Sequence, residues 1–109
     1  MNIENTKLTC PDCRGALERI QDGKLLQYRC RVGHTYSAET AVAAHALTEE
    51  NALWAGIVAL EEGADLWEDV AGMLNNENSQ LLREQAKTKR EIASGIRELL
   101  NRLEVPRLE

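Results

Sequence analysis

A chain of 109 residues with 18 acidic against 13 basic side chains carries a net charge of -5, and its 43% apolar content includes no Phe, two Trp and two Tyr. That is the size of one small domain, and so thin an aromatic supply calls for long helices packed on each other or for a metal to supplement the core. No apolar run approaches the roughly 20 residues of a membrane span, and the opening MNIENTKL lacks the basic and apolar regions of a secretion signal. A cytoplasmic chain with no membrane partner is expected. The acidic balance also disfavours general nucleic-acid binding. The closing pair Leu108-Glu109 is read as a vector-derived scar.

Residues 1 to 36 read as short antiparallel strands: Lys7 to Thr9, Ala16 to Ile20 and Lys24 to Arg29, with Gln21-Asp22-Gly23 as the turn between the last two. All three cysteines lie in this segment. From Ser37 the pattern becomes helical, with Ser37 as N-cap and Glu39 in the first turn, where it suits the helix dipole. Apolar residues recur at Leu47, Trp54, Ile57, Leu60, Ala64, Trp67, Ala71 and Leu74, mostly three or four apart, which predicts one amphipathic helix over about 38–74. Asn75 to Asn78 is a run of turn formers. Ser79 then caps a second helix over about 80–104, carrying Leu82, Ile92, Ile96, Leu99 and Leu103 and ended by Pro106. So short a connection predicts an antiparallel helical hairpin. The expected class is therefore α+β: a small ribbon over 1–36 and a helical hairpin over 37–107, joined as one integrated unit.

Charge supports the hairpin. Ser37 to Leu74 contains eight acids and no Lys or Arg, whereas Ser79 to Glu104 contains six bases and four acids. The bland reading is a set of solvated faces, since an exposed pair is worth only about 0 to 1 kcal/mol.

The spacing of the cysteines carries the chemistry. Cys10-Pro11-Asp12-Cys13 and Cys30-Arg31-Val32-Gly33-His34 form two ligand pairs separated by 16 residues, a spacing that fits a zinc site. Each tight turn points two donors at one ion, Gly15 and Gly33 allow the backbone it requires, and the hairpin between the pairs returns the second to the first. Cys10, Cys13, Cys30 and His34 would fill a tetrahedral Zn2+ with four protein ligands, so one structural zinc is expected and no catalytic residue. An imidazole as fourth ligand favours zinc over a rubredoxin-like iron centre. A redox C-x-x-C would precede a helix in a βαβ pattern, and that pattern is missing. His45 falls within the first helix and reads as an ordinary helix-face histidine.

The segments Leu8 to Gly15, Tyr28 to Ser37, Asn51 to Trp54 and Ala59 to Glu62 together resemble the zinc ribbon and helical extension at the C-terminus of some bacterial chemotaxis protein-glutamate methylesterases. The specific part is the cysteine and C-R-V-G-H segments. The resemblance implies a metal held by Cys10, Cys13, Cys30 and His34 and a setting in bacterial signalling. It does not bring esterase activity, because the chain offers no nucleophile elbow and no Ser, His and Asp set.

Two further features bear on partners. Trp54 and Trp67, 13 apart on one helical side, read as core anchors rather than ligand contacts. Leu53, Val58, Leu81 and Leu100 lie off the main stripe, which suggests a protein partner on the helices or a homodimer forming a four-helix bundle. In the ribbon, Lys7, Arg14, Arg19, Lys24, Arg29 and Arg31 outnumber Glu4, Asp12, Glu18 and Asp22, while Tyr28 and Tyr36 are available for base stacking. The expected function is a non-enzymatic zinc-binding adaptor or regulatory module. The alternative is a small nucleic-acid-binding zinc ribbon, ranked below a solubilising role for those bases.

Overall fold

A computed structural model describes residues 1–108; Glu109, half of the pair read as a vector scar, lies outside the described residues. The chain runs as four strands, β1 (Asn2–Thr9), β2 (Ala16–Asp22), β3 (Leu25–Cys30) and β4 (Thr35–Ser37), then two helices, α1 (Ala38–Leu74) and α2 (Asn78–Leu100). The strands form one antiparallel meander in the order β1-β2-β3-β4, so the class is α+β, a small ribbon followed by a helical hairpin. Two compact units result: Met1–Glu49 with the chain end from Glu104, and Glu50–Leu103.

In the first unit, β2 and β3 pair from Leu17↔Cys30 to Asp22↔Leu25, which leaves Gly23 and Lys24 as a two-residue turn. Gly23 supplies the positive φ of 61° that such hairpin turns demand. The turn thus sits one step later than Gln21-Asp22-Gly23, and Gln21 and Asp22 belong to the strand. β1 is longer than expected, since Asn2 to Asn5 pair with Gln21 to Glu18 before the register shifts ahead of Thr9. Thr6 stabilises that irregularity by donating its hydroxyl to the Leu17 carbonyl at 2.8 Å. Polar residues in β1 are exposed and give no apolar alternation, so the pattern that identifies strands is weak there. Leu17, Cys10 and Cys30 form the buried cluster, with Tyr28 and Tyr36 packed against it.

Ser37 ends β4 and caps α1 at once: the Thr40 backbone N–H donates to its Oγ at 3.1 Å. The other end of α1 closes at Asn75, whose left-handed φ of 47° and N–H bond to the Ala71 carbonyl make a C-terminal cap. Ser79 is not the residue preceding α2. It is buried inside the first turn, accepts the Asn76 N–H and donates its hydroxyl to the Ala71 carbonyl at 2.7 Å, tying the two helices at their connection. The capping oxygen is instead Asn76 Oδ1, which accepts the Asn78 N–H. At its far end α2 stops at Leu100, four residues short of the expected 104, in a turn closed by Arg102 N–H to the Leu99 carbonyl and Leu103 N–H to the Leu100 carbonyl. Pro106 holds its predecessor in extended backbone, and the chain leaves the helix ahead of that restriction.

Within the second unit the seam is made of small residues spaced by seven. Ile57, Ala64 and Ala71 of α1 and Ser79, Ala86 and Ala93 of α2 are its buried positions. Ion pairs fix the antiparallel register along one flank: Arg97 makes a two-pronged pair with Glu61 at 2.7 and 2.9 Å, and Arg90 bridges Asp65 and Glu68 at 2.7 and 3.1 Å. The acidic and basic helices therefore do pair through named charges. The Arg97 guanidinium holds the Glu61 carboxyl below its ordinary range, through a hydrogen bond that outweighs partial burial. The tryptophans differ from expectation. Trp54 is 44% exposed under the Arg97 guanidinium, and Trp67 is covered by the Lys89 ammonium 4.1 Å from its ring centre, so cations and not apolar neighbours occupy their faces. An alanine seam leaves no hole for an indole.

Candidate metal centre

The loop from β1 to β2 and the loop from β3 to β4 each fold as a tight turn around a sulfur. In the first, Cys10 N–H donates to the Gly15 carbonyl at 2.7 Å and Arg14 N–H to the Cys10 carbonyl at 2.8 Å. In the second, Cys30 N–H donates to the His34 carbonyl at 3.0 Å and Gly33 N–H to the Cys30 carbonyl at 3.1 Å. Gly33 adopts φ 109°, a region closed to residues with a Cβ. In the first turn the left-handed residue is Arg14, at φ 60°, and not Gly15. Gly15 is needed for closeness: a Cβ there would stand 3.3 Å from Cys13 Sγ.

These turns bring all four expected donors together. The Sγ atoms of Cys10, Cys13 and Cys30 and a ring nitrogen of His34 lie within 4.8 Å of one another, close enough to hold one metal ion. Cys13 Sγ is 3.6 Å from Cys30 Sγ, and His34 Nδ1 is 3.3 Å from Cys30 Sγ and 3.7 Å from Cys10 Sγ. Zinc bonds of about 2.3 Å to sulfur and about 2.0–2.1 Å to nitrogen give tetrahedron edges of about 3.5–3.8 Å. The three spacings of 3.3, 3.6 and 3.7 Å lie close to those edges, and Nδ1 is the imidazole atom presented. His45 stands outside the cluster and makes an exposed helical pair with Glu49 at 2.8 Å.

The local field prepares the sulfurs for a cation. Burial opposes ionisation of Cys30, yet the His34 N–H, the Cys13 thiol and the Gly33 N–H together bring it down to about 6 from 9.0. Cys10 is likewise lowered: burial is opposed by a hydrogen bond with the Tyr36 hydroxyl and by the N–H groups of Cys13 and Asp12. For Cys13 the Gly15 N–H favours the thiolate, but burial and the Cys30 and Cys10 sulfurs overcome it and the thiol is pushed up. His34 is raised by its hydrogen bond with Cys30, against burial. These hydrogen bonds favour the thiolate at Cys30 and the protonated ring at His34, and a bound divalent ion would displace protons from the set.

Two residues of the site have no signal in the cysteine spacing. The Tyr36 hydroxyl donates to the Asp12 carboxylate and stands 3.2 Å from Cys10 Sγ, which links the Asp12 carboxylate to the sulfur through the phenol oxygen. Asp12 first and Cys10 second hold the hydroxyl proton on, raising the phenol above its ordinary range. Outer groups of this kind orient ligands and typically change metal affinity by about 10–100-fold. Tyr36→Phe keeps the ring that packs on the core and removes only the hydroxyl, so metal affinity measured against a competing chelator falls by about that factor while the strands persist. Unchanged affinity would leave Tyr36 a packing residue alone.

No protein-family model, curated protein or solved structure matches this chain. The functional reading rests on its own chemistry.

Proposed function

We propose that the chain is a zinc-binding, non-enzymatic interaction module in which one structural Zn2+ organises the ribbon and the helices take a protein partner. The closure of Cys10, Cys13, Cys30 and His34 into a set with tetrahedral edge lengths carries the reading. Three sulfurs and one imidazole select zinc over the harder divalent ions, and four protein ligands leave no position for a reacting water. The metal then supplies folding energy where the apolar cluster is only Cys10, Leu17 and Cys30. The resemblance of the Cys10–Cys13 and Cys30–His34 segments to the methylesterase extension supports a regulatory setting in bacterial signalling. No helix is long and apolar enough to cross a membrane.

The nucleic-acid alternative has less to stand on. Tyr28 and Tyr36 are packed against the cysteine cluster rather than free to stack on bases, and Arg19 and Arg29 pair with Glu4 and Glu18 inside the sheet. A titration with DNA and RNA across a salt series is expected to show no salt-dependent association.

Elemental analysis of protein purified without added metal is expected to find one zinc per chain. Circular dichroism before and after chelation is expected to lose the ribbon signal and keep most of the helical one. A metal-free protein with an unchanged spectrum would remove both the zinc and the module built on it.

A further inference from the structure

The helical unit Glu50–Leu103 has two chemically opposite flanks. At about 100° per residue, one side of the seam carries Glu61, Asp65, Glu68 and Trp54 from α1 with Arg90 and Arg97 from α2, and their contacts confirm that placement. The other side is marked by Lys89 lying over Trp67 and against Gly63. On this second side α1 presents Leu60, Leu66, Trp67 and Val70, and no Asp, Glu, Lys or Arg between Glu50 and Leu74 falls there. α2 adds Leu81, Ile92, Ile96 and Leu99 to the same side, because antiparallel neighbours share a face across their local two-fold axis.

We infer that this face is the interface with a second copy of the chain, forming a four-helix bundle; the proposal rests on reading the helices as the interaction surface and names their partner. Three observations select a second copy. First, the hairpin's own core is too small to hold it: of six buried seam residues, four are Ala and one is Ser. A helical unit of this size needs a further apolar layer. Second, the uncovered side chains are large: Leu66, Leu81, Ile92 and Leu99 are 58%, 56%, 49% and 57% exposed. The 23 residues of α2 make the face about 35 Å long and two helices make it about 20 Å wide, hence about 700 Å² per copy, near the roughly 800 Å² per partner of a stable interface. Third, Lys89 is the single charge on the face and its ammonium already lies on an indole, so the face offers no pattern of charge that calls for an acidic or basic partner. Gly56 on this face has no atom within 4 Å of where a Cβ would stand, so the space there is open to a facing side chain.

The test uses the full zinc-loaded chain in sedimentation equilibrium at micromolar concentration. The expected mass is twice the 12.2 kDa of one chain. Ile92→Glu combined with Leu99→Glu is expected to weaken association by more than about 100-fold, whereas Val58→Glu on the ion-paired flank leaves it unchanged. Because the double variant can also unfold the hairpin, a second measurement uses Trp54→Phe, which leaves Trp67 as the only indole. On dilution, acrylamide quenching of Trp67 is expected to rise over the range in which the mass halves. A monomer at every concentration overturns the dimer, and if that monomer keeps its zinc and binds another protein's helix here, the interaction-module reading survives. Association that Val58→Glu abolishes and the double variant spares overturns the assigned face. A dimer lacking metal supports this inference while defeating the zinc reading.

Discussion

Cys30→Ser is expected to empty the metal centre and unfold the ribbon while leaving α2 helical. Cys30 lies within hydrogen-bond reach of both the Cys13 thiol and the His34 imidazole, and it is buried in the apolar cluster with Cys10 and Leu17. A serine hydroxyl at that place is a poor zinc donor, and it also buries a polar group among those side chains. Small structural zinc sites contribute apparent binding free energies of about 10–16 kcal/mol near neutral pH, far more than the rest of so small a sheet can replace. Zinc content should fall from one per chain to near zero, and backbone amides of β2 and β3 should lose protection from hydrogen exchange. Retained strand protection with no zinc would show that the sheet stands without its metal. Acid should reproduce the loss. Against its burial, hydrogen bonds hold the Cys30 thiol down to about 6 from 9.0, so its sulfur takes up a proton as pH falls through about 6. In the loaded ribbon protons compete with the metal for the same sulfur, so acidification releases it.

The clustering of Cys10, Cys13, Cys30 and His34 was legible because metal coordination constrains sequence spacing: two short turns must each present two donors, and these residues do so in the order the chain is read. The first helix was legible for a similar reason, its periodicity being local and its ends written in Ser37 and Asn75, whereas α2 was legible in its periodicity but not in its ends. Tyr36 and Asp12 were not, since their link to Cys10 arises only when β4 returns beside β3 and no short-range pattern encodes that return. The first half of β1 escaped because its pairing is by backbone and its side chains are exposed, with Ile3 the single apolar one among Asn2, Glu4 and Asn5. The seam misled in an instructive way. A stripe containing Trp54 and Trp67 suggests that the largest side chains sit inside, yet close helix approach selects the smallest ones and moves the indoles to the flanks, where Arg97 and Lys89 cover them. The same displacement leaves the outer face, with Lys89 its single charge, from which a second copy is inferred.

Enlarging the seam should therefore break the hairpin without touching the metal. Ala64 and Ala86 have no exposed surface, and Ala93 is 1% exposed. Ala86→Leu inserts three carbons where the helices have no space, and the choices open to the chain are to separate the helices or to strain the side chain. Overpacking of this kind costs about 1–3 kcal/mol, and combining it with Ala64→Leu should cost more than either alone. Separation would also lengthen the Arg97–Glu61 and Arg90–Asp65 pairs, because both span the two helices. Each of those pairs is exposed and contributes little by itself, so the loss should come chiefly from packing. Thermal melting followed by the helical circular dichroism signal should show a fall of several degrees for Ala86→Leu, with zinc content unchanged at one per chain. A mirror-image control, Leu66→Ala on the outer face, should leave the melting of a dilute monomer nearly unaltered, because Leu66 is 58% exposed. An unshifted melting point in Ala86→Leu would mean that the two helices are held by their ion pairs and not by the close approach of their alanines.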